Sequence, residues 1–215
     1  MSTKKIIGTI IGVIAFIAVI AGATFAWLVI QANVINNVIN NATSKDFIIT
    51  YAGSAAIKNP KQLASGNAKT SSITSASAAS TADDAWAAVT ASKTANSAAA
   101  GSFKLKLAIS SNSLTTNSMV YAVCKGPCPT DVALATISDG TATCASGVSK
   151  CGLITAGSVS DVVLFNDTST FNTNAKVDNV TYNIYFWLNA NTIDVLDLGK
   201  GMNGYIYAEA SQVNS

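Results

Sequence analysis

Four cysteines, Cys124, Cys128, Cys144 and Cys151, lie close together at spacings C-x3-C and C-x6-C. Four thiolates in one place are a zinc-site chemistry, but this spacing is looser than the zinc-ribbon patterns. The pentapeptide CKGPC separates its sulfurs by three residues, where thioredoxin-type redox motifs have two. An even cysteine count in an exported chain instead points to two structural disulfides. Local pairing, Cys124 with Cys128 and Cys144 with Cys151, is the preferred arrangement, and crossed pairing stays open. Such short loops stabilise modestly, by about 2–3 kcal/mol each on a chain-entropy estimate.

Other chemistry is narrowed by what is missing. The chain contains no His and, read along its length, no Arg. That removes Ser-His-Asp and Cys-His arrangements, imidazole metal ligands and bidentate phosphate clamps. Asp, Glu, Lys and Tyr remain, but no pair of them has an identifiable activating partner, so the chain is read as a non-enzyme with no catalytic residue. Asn189, Asn191, Asp194 and Asp197 cluster in LNANTIDVLDLGKG. Their oxygens are weak candidates for Ca²⁺, a hard cation; a polar turn between strands is the plainer reading, and no other cofactor is indicated. Three N-x-[ST] sequons, at Asn41, Asn166 and Asn179, mark glycosylation acceptors if the source glycosylates exported proteins.

Export itself is written at the amino terminus. Lys4 and Lys5 precede an uncharged apolar run over residues 6–30. A basic start, an apolar stretch and small residues before a cut make a secretory signal. Ala21-Gly22-Ala23 and the Thr24–Ala26 stretch both offer cleavage positions. The run is also long enough to span a bilayer as a retained anchor. In either case the lysines stay in the cytoplasm and the remainder lies outside. The membrane is therefore a partner only through this segment, and signal peptidase is a partner during export. Only 11% of residues are charged and the net charge is +2, so no nucleic-acid footprint exists.

Beyond the run, Trp27, Leu28, Val29 and Ile30 lead into Val34, Ile35, Val38 and Ile39, set among asparagines. These residues suit a helical spacer or an extended strand donated to a neighbour. From Phe47 onward, short runs rich in Val, Ile, Tyr, Phe and Thr alternate with turn residues. The strands expected are FIITYAG, SFKLKLAIS, MVYAVC, DVALATIS, DVVLFND, NVTYNIYFWLN and GYIYAEAS. In SFKLKLAIS, Phe103, Leu105, Leu107 and Ile109 face one way, and Lys104, Lys106 and Ala108 the other. The Ala/Ser/Thr tract at 64–101 reads as linker or small-residue edge strands, with at least one strand near residues 86–93. These features predict an all-β fold: an antiparallel jelly-roll-like or immunoglobulin-like β-sandwich behind an N-terminal hydrophobic helix. The division is 1–26 signal or anchor, 27–45 donor segment or spacer, and 46–213 sandwich. Tyr185 and Trp187 alternate with Ile184, Phe186 and Leu188, a position open to sugar stacking if their face is bare.

The ending from Thr181 to Gln212 resembles the carboxyl end of TasA/camelysin-type surface filament proteins. AGATFAW, Ala21 to Trp27, is similar to the junction cut by SipW-type peptidases. The resemblance implies cleavage after Ala26, a jelly-roll-like sandwich, and polymerisation outside the cell in a biofilm matrix. It also implies donation of residues 27–41 to the next subunit, which makes the chain its own partner in a homopolymer. The alternatives are a membrane-anchored, pilin-like surface protein and a glycan- or ion-binding adhesin.

Overall fold

A computed structural model describes residues 31–32, 47–53, 62–63, 67–74, 86–93, 100–192, 197, 200 and 202–213. The expected N-terminal helix and cleavage site, and donor residues 27–30 and 33–41, lie outside the described residues. Among those described, twelve strands and one five-residue helix form an all-β protein. The strands are β1 (Gln31–Ala32), β2 (Phe47–Gly53), β3 (Gln62–Leu63), β4 (Trp86–Lys93), β5 (Ala100–Asn112) and β6 (Met119–Lys125). They continue with β7 (Ala135–Ser138), β8 (Thr141–Cys144), β9 (Lys150–Leu153), β10 (Val162–Asp167), β11 (Val177–Asn189) and β12 (Met202–Val213), while helix α1 covers Thr70–Thr74.

Sheet I has the order β1-β12-β5-β10, and sheet II the order β2-β4-β11-β6-β9 with β3 beside β11. Pairing is antiparallel except at β1–β12 and β3–β11. The inward faces of the two sheets share one apolar core. Period-two alternation explains which side chains enter it. Phe103, Leu105, Leu107 and Ile109 of β5 are buried there, as are Tyr182, Ile184, Phe186 and Leu188 of β11. Each such aliphatic or aromatic side chain stabilises the fold by about 1.5–3 kcal/mol on burial. Phe103 stacks on Tyr182 with ring centroids 4.7 Å apart.

The small-residue tract supplies an interior strand. Ala87, Val89 and Ala91 of β4 enter the core, and β4 sits between β2 and β11. Ala87 lies opposite Ile184, and Val89 opposite Tyr182. Small side chains here leave room for large ones on the neighbouring strand.

The outward face of sheet II is not bare. Val120, Ala122 and Cys124 of β6 and Trp187 of β11 form a second apolar cluster with Ala68, Ile73, Leu134, Ala135 and Ile137. That cover consists of the α1 segment and the β7–β8 hairpin. Asp139 and Gly140 at the hairpin tip have φ of 49° and 72°, the two positive values a two-residue I′ turn requires. DVALATIS thus becomes a strand only from Ala135, because its first half crosses over the sheet. Disulfides join Cys124 to Cys128 and Cys144 to Cys151, so the chain is stapled where it leaves β6 and where it returns into β9. The sulfurs are consumed in these bonds, which removes the zinc reading.

Candidate functional site

β12 lies between β5 and the two-residue β1 in sheet I. On its inner side this strand pairs with β5 from Met202↔Asn112 to Val213↔Ala100. On its other side, among the described residues, only Gln31 and Ala32 pair with it, opposite Asn203 and Gly204 and in parallel. The β5 register shifts between Asn203 and Gly204, the mark of a β-bulge. A Cβ at Gly204 would sit 2.4 Å from the Ala108 carbonyl oxygen, so the close approach of β12 to β5 here requires glycine.

Beside this edge, the outward face of sheet I carries polar pairs. Lys106 Nζ donates to Glu209 at 2.8 Å and lies 5.6 Å from the centre of the Tyr207 ring. The hydrogen bond to Glu209 raises the Lys106 pKa despite an opposing effect of burial. Tyr207 Oη donates to Asp161 at 2.5 Å. Burial, reinforced by that bond, pushes the Tyr207 phenol up to about 12. These groups fix cross-strand register and leave the face wet.

Two buried carboxylates anchor loops. Asp167 accepts from Tyr182 Oη at 2.7 Å, from Thr170 N at 2.9 Å and Oγ1 at 2.5 Å, and from Ser169 N at 3.1 Å. Lys125 Nζ stands 3.3 Å away. Burial alone would push this carboxyl up, but the hydrogen bonds prevail and hold it well below the usual range. Burial, then the bond to Asp167, pushes Tyr182 far above the ordinary phenol range. Asp197 accepts from Thr115 N and Oγ1 at 2.6 and 2.7 Å, and from Thr116 Oγ1. At the end of β4, fully buried Lys93 donates to the Thr173 carbonyl.

Several residues singled out from sequence have a place in the fold. Asn189 is buried, its Oδ1 accepting from Asn191 N at 3.3 Å, and Asn191 is exposed. Asp194 lies outside the described residues. Among the described residues no three Cys, Asp or Glu side chains gather as a metal-binding group. The sequon residues Asn166 and Asn179 are exposed, and Asn41 lies outside the described residues. Trp187, whose face the sequence leaves either bare for sugar stacking or covered, is 0% exposed and Tyr185 is half-buried, because the disulfide-stapled layer covers their face. Sequence reasoning missed that layer and the Asp167 network. Asp-x-Ser-Thr, Asp167 to Thr170, is itself a local turn signal.

No protein-family model, curated protein or solved structure matches this chain.

Proposed function

We propose that this protein is the subunit of an extracellular filament, a jelly-roll-like sandwich completed by the amino-terminal segment of a neighbouring copy. The observation that carries this reading is the pairing on β12. Gln31 and Ala32, which belong to the segment expected to be donated, pair with it in parallel at Asn203 and Gly204. A segment that can pair with its own sheet can pair equally with the same edge of the next copy, and head-to-tail exchange does not close. The two disulfides fit an oxidising compartment, and the leader-like residues 1–26 fit export to it.

Paired cysteines at Gln31→Cys and Asn203→Cys test the reading, since the two positions face each other in register. Mild oxidation should yield a ladder of covalent multimers on a non-reducing gel, with filaments in electron micrographs. Bonds formed only within single chains, with monodisperse particles, overturn it. A retained anchor is the second reading, favoured by the length of the uncharged run at residues 6–30. Intact mass of surface material decides: a mass that includes Met1 to Ala26 selects the anchor.

A further inference from the structure

We infer that an internal water is bound on the covered face of sheet II, held by Ser118, Trp187 and Asn189. All three side chains are 0% exposed. Ser118 Oγ, Trp187 Nε1 and Asn189 Nδ2 have no hydrogen-bond partner among the described residues. Buried polar groups are almost always satisfied, so three orphans in one protein call for an explanation.

Their placement on the sheet supplies it. Asn189 N donates to the Ser118 carbonyl at 2.8 Å, continuing the β6–β11 ladder one step past Leu188↔Met119. Ser118 and Asn189 are therefore directly opposite, a relation that brings Cβ atoms within about 5 Å. Met119, Tyr121, Phe186 and Leu188 point into the inter-sheet core, whereas Val120 and Trp187 point to the cover. By alternation Ser118 and Asn189 share the face of Val120 and Trp187. The three orphan groups thus share the covered face of sheet II, next to Leu63, which lies in register beside Asn189.

The donor and acceptor types select the guest. Asn189 Oδ1 is taken by Asn191 N, which fixes the amide and leaves Nδ2 as the group that points elsewhere. The Asn189 Nδ2 and Trp187 Nε1 groups can only donate, which repels a metal cation. The guest must accept twice, and the Ser118 hydroxyl oxygen can then accept a hydrogen bond from it. One water does all of this with three hydrogen bonds, the usual number for a buried water.

The test is water-selective nuclear Overhauser spectroscopy on the ¹⁵N-labelled chain. A long-lived water should give cross-peaks of opposite sign in the laboratory and rotating frames. These should appear at both the Trp187 indole N–H and the Asn189 side-chain amide. Ser118→Ala together with Asn189→Leu should abolish the peak at Trp187, while Ser118→Ala alone, a change small enough to keep the fold, should weaken it. Absence of water peaks in the native chain overturns the assignment. Persistence of the Trp187 peak in both folded variants overturns it as well.

Discussion

Asp167 shows how one side chain holds distant parts of this fold together. It ties the 167–170 turn to β11 through the Tyr182 hydroxyl and stands beside Lys125 at the end of β6. Asp167→Asn should destabilise the protein by on the order of 3 kcal/mol, read from a urea midpoint, because it disrupts a buried and paired charge. The pH dependence follows from the directions of the two shifts. A lowered carboxyl contributes stability above its unfolded value, near 4, which is lost as pH falls through its folded value. A raised phenol contributes stability below its unfolded value, near 10, which is lost as pH rises towards its folded value. With no His to titrate between pH 5 and 8, the stability curve should be flat across that range and fall at both ends. Asp167→Asn should make the acid limb shallower; an unchanged limb would assign acid sensitivity to other groups. Beyond the turn signal of Asp167 to Thr170, this was not legible beforehand, because Tyr182 and Lys125 reach Asp167 only through tertiary pairing. What the sequence offered around Asp167 was a sequon, Asn166-Asp167-Thr168.

At the level of elements, alternation in SFKLKLAIS and NVTYNIYFWLN was enough to place β5 and β11 and their inward residues. The tract at 64–101 was less readable, since alanine has no strong strand preference and β4 is a strand because large neighbours pack around it. The cover over sheet II was invisible for a different reason. Its apolar residues, Ile73, Leu134 and Ile137, are scattered over long separations, and each alone is a weak signal. The disulfides make that cover testable. Replacing Cys124 and Cys128 with Ser, or Cys144 and Cys151 with Ser, should each cost about 2 kcal/mol by the chain-entropy argument, measured by denaturant titration. In a background lacking Trp27 and Trp86, reduction should shift Trp187 emission to the red and admit quenchers. Unchanged emission would show that the apolar contacts hold the cover without the sulfurs. Gly204→Ala should also destabilise, because its Cβ would press on the Ala108 carbonyl. A loss of 1–3 kcal/mol is expected, as for other overpacked sites.

Over the whole molecule the two flanks differ. On one side β10 is six residues long and irregular in register, near the four-residue β9; short, bulged edges resist pairing. On the other side β12 runs for twelve residues, and β2 for seven ends sheet II. Attachment is therefore expected at the β12 flank. Removing residues 27–41 should leave monomers that add to no filament, scored by sedimentation; sedimenting polymer from that truncated chain would point to another contact. If the chain assembles as proposed, its 11% of charged residues leaves backbone pairing rather than ion pairs as the expected driving force. Polymer yield should accordingly change less than about twofold between low salt and 1 M, where exposed charges are screened within about 3 Å.

Among the described residues the cover lies on sheet II, and that decides where the protein can be labelled. Lys104 on β5 and Ala122 on β6 both project away from the inter-sheet core, yet Lys104 meets solvent and Ala122 is buried beneath the stapled hairpin. A fluorophore or affinity handle attached at position 104 should leave the fold intact. The same handle at position 122 should lift the hairpin from the sheet, although a sandwich with two wet faces would tolerate either.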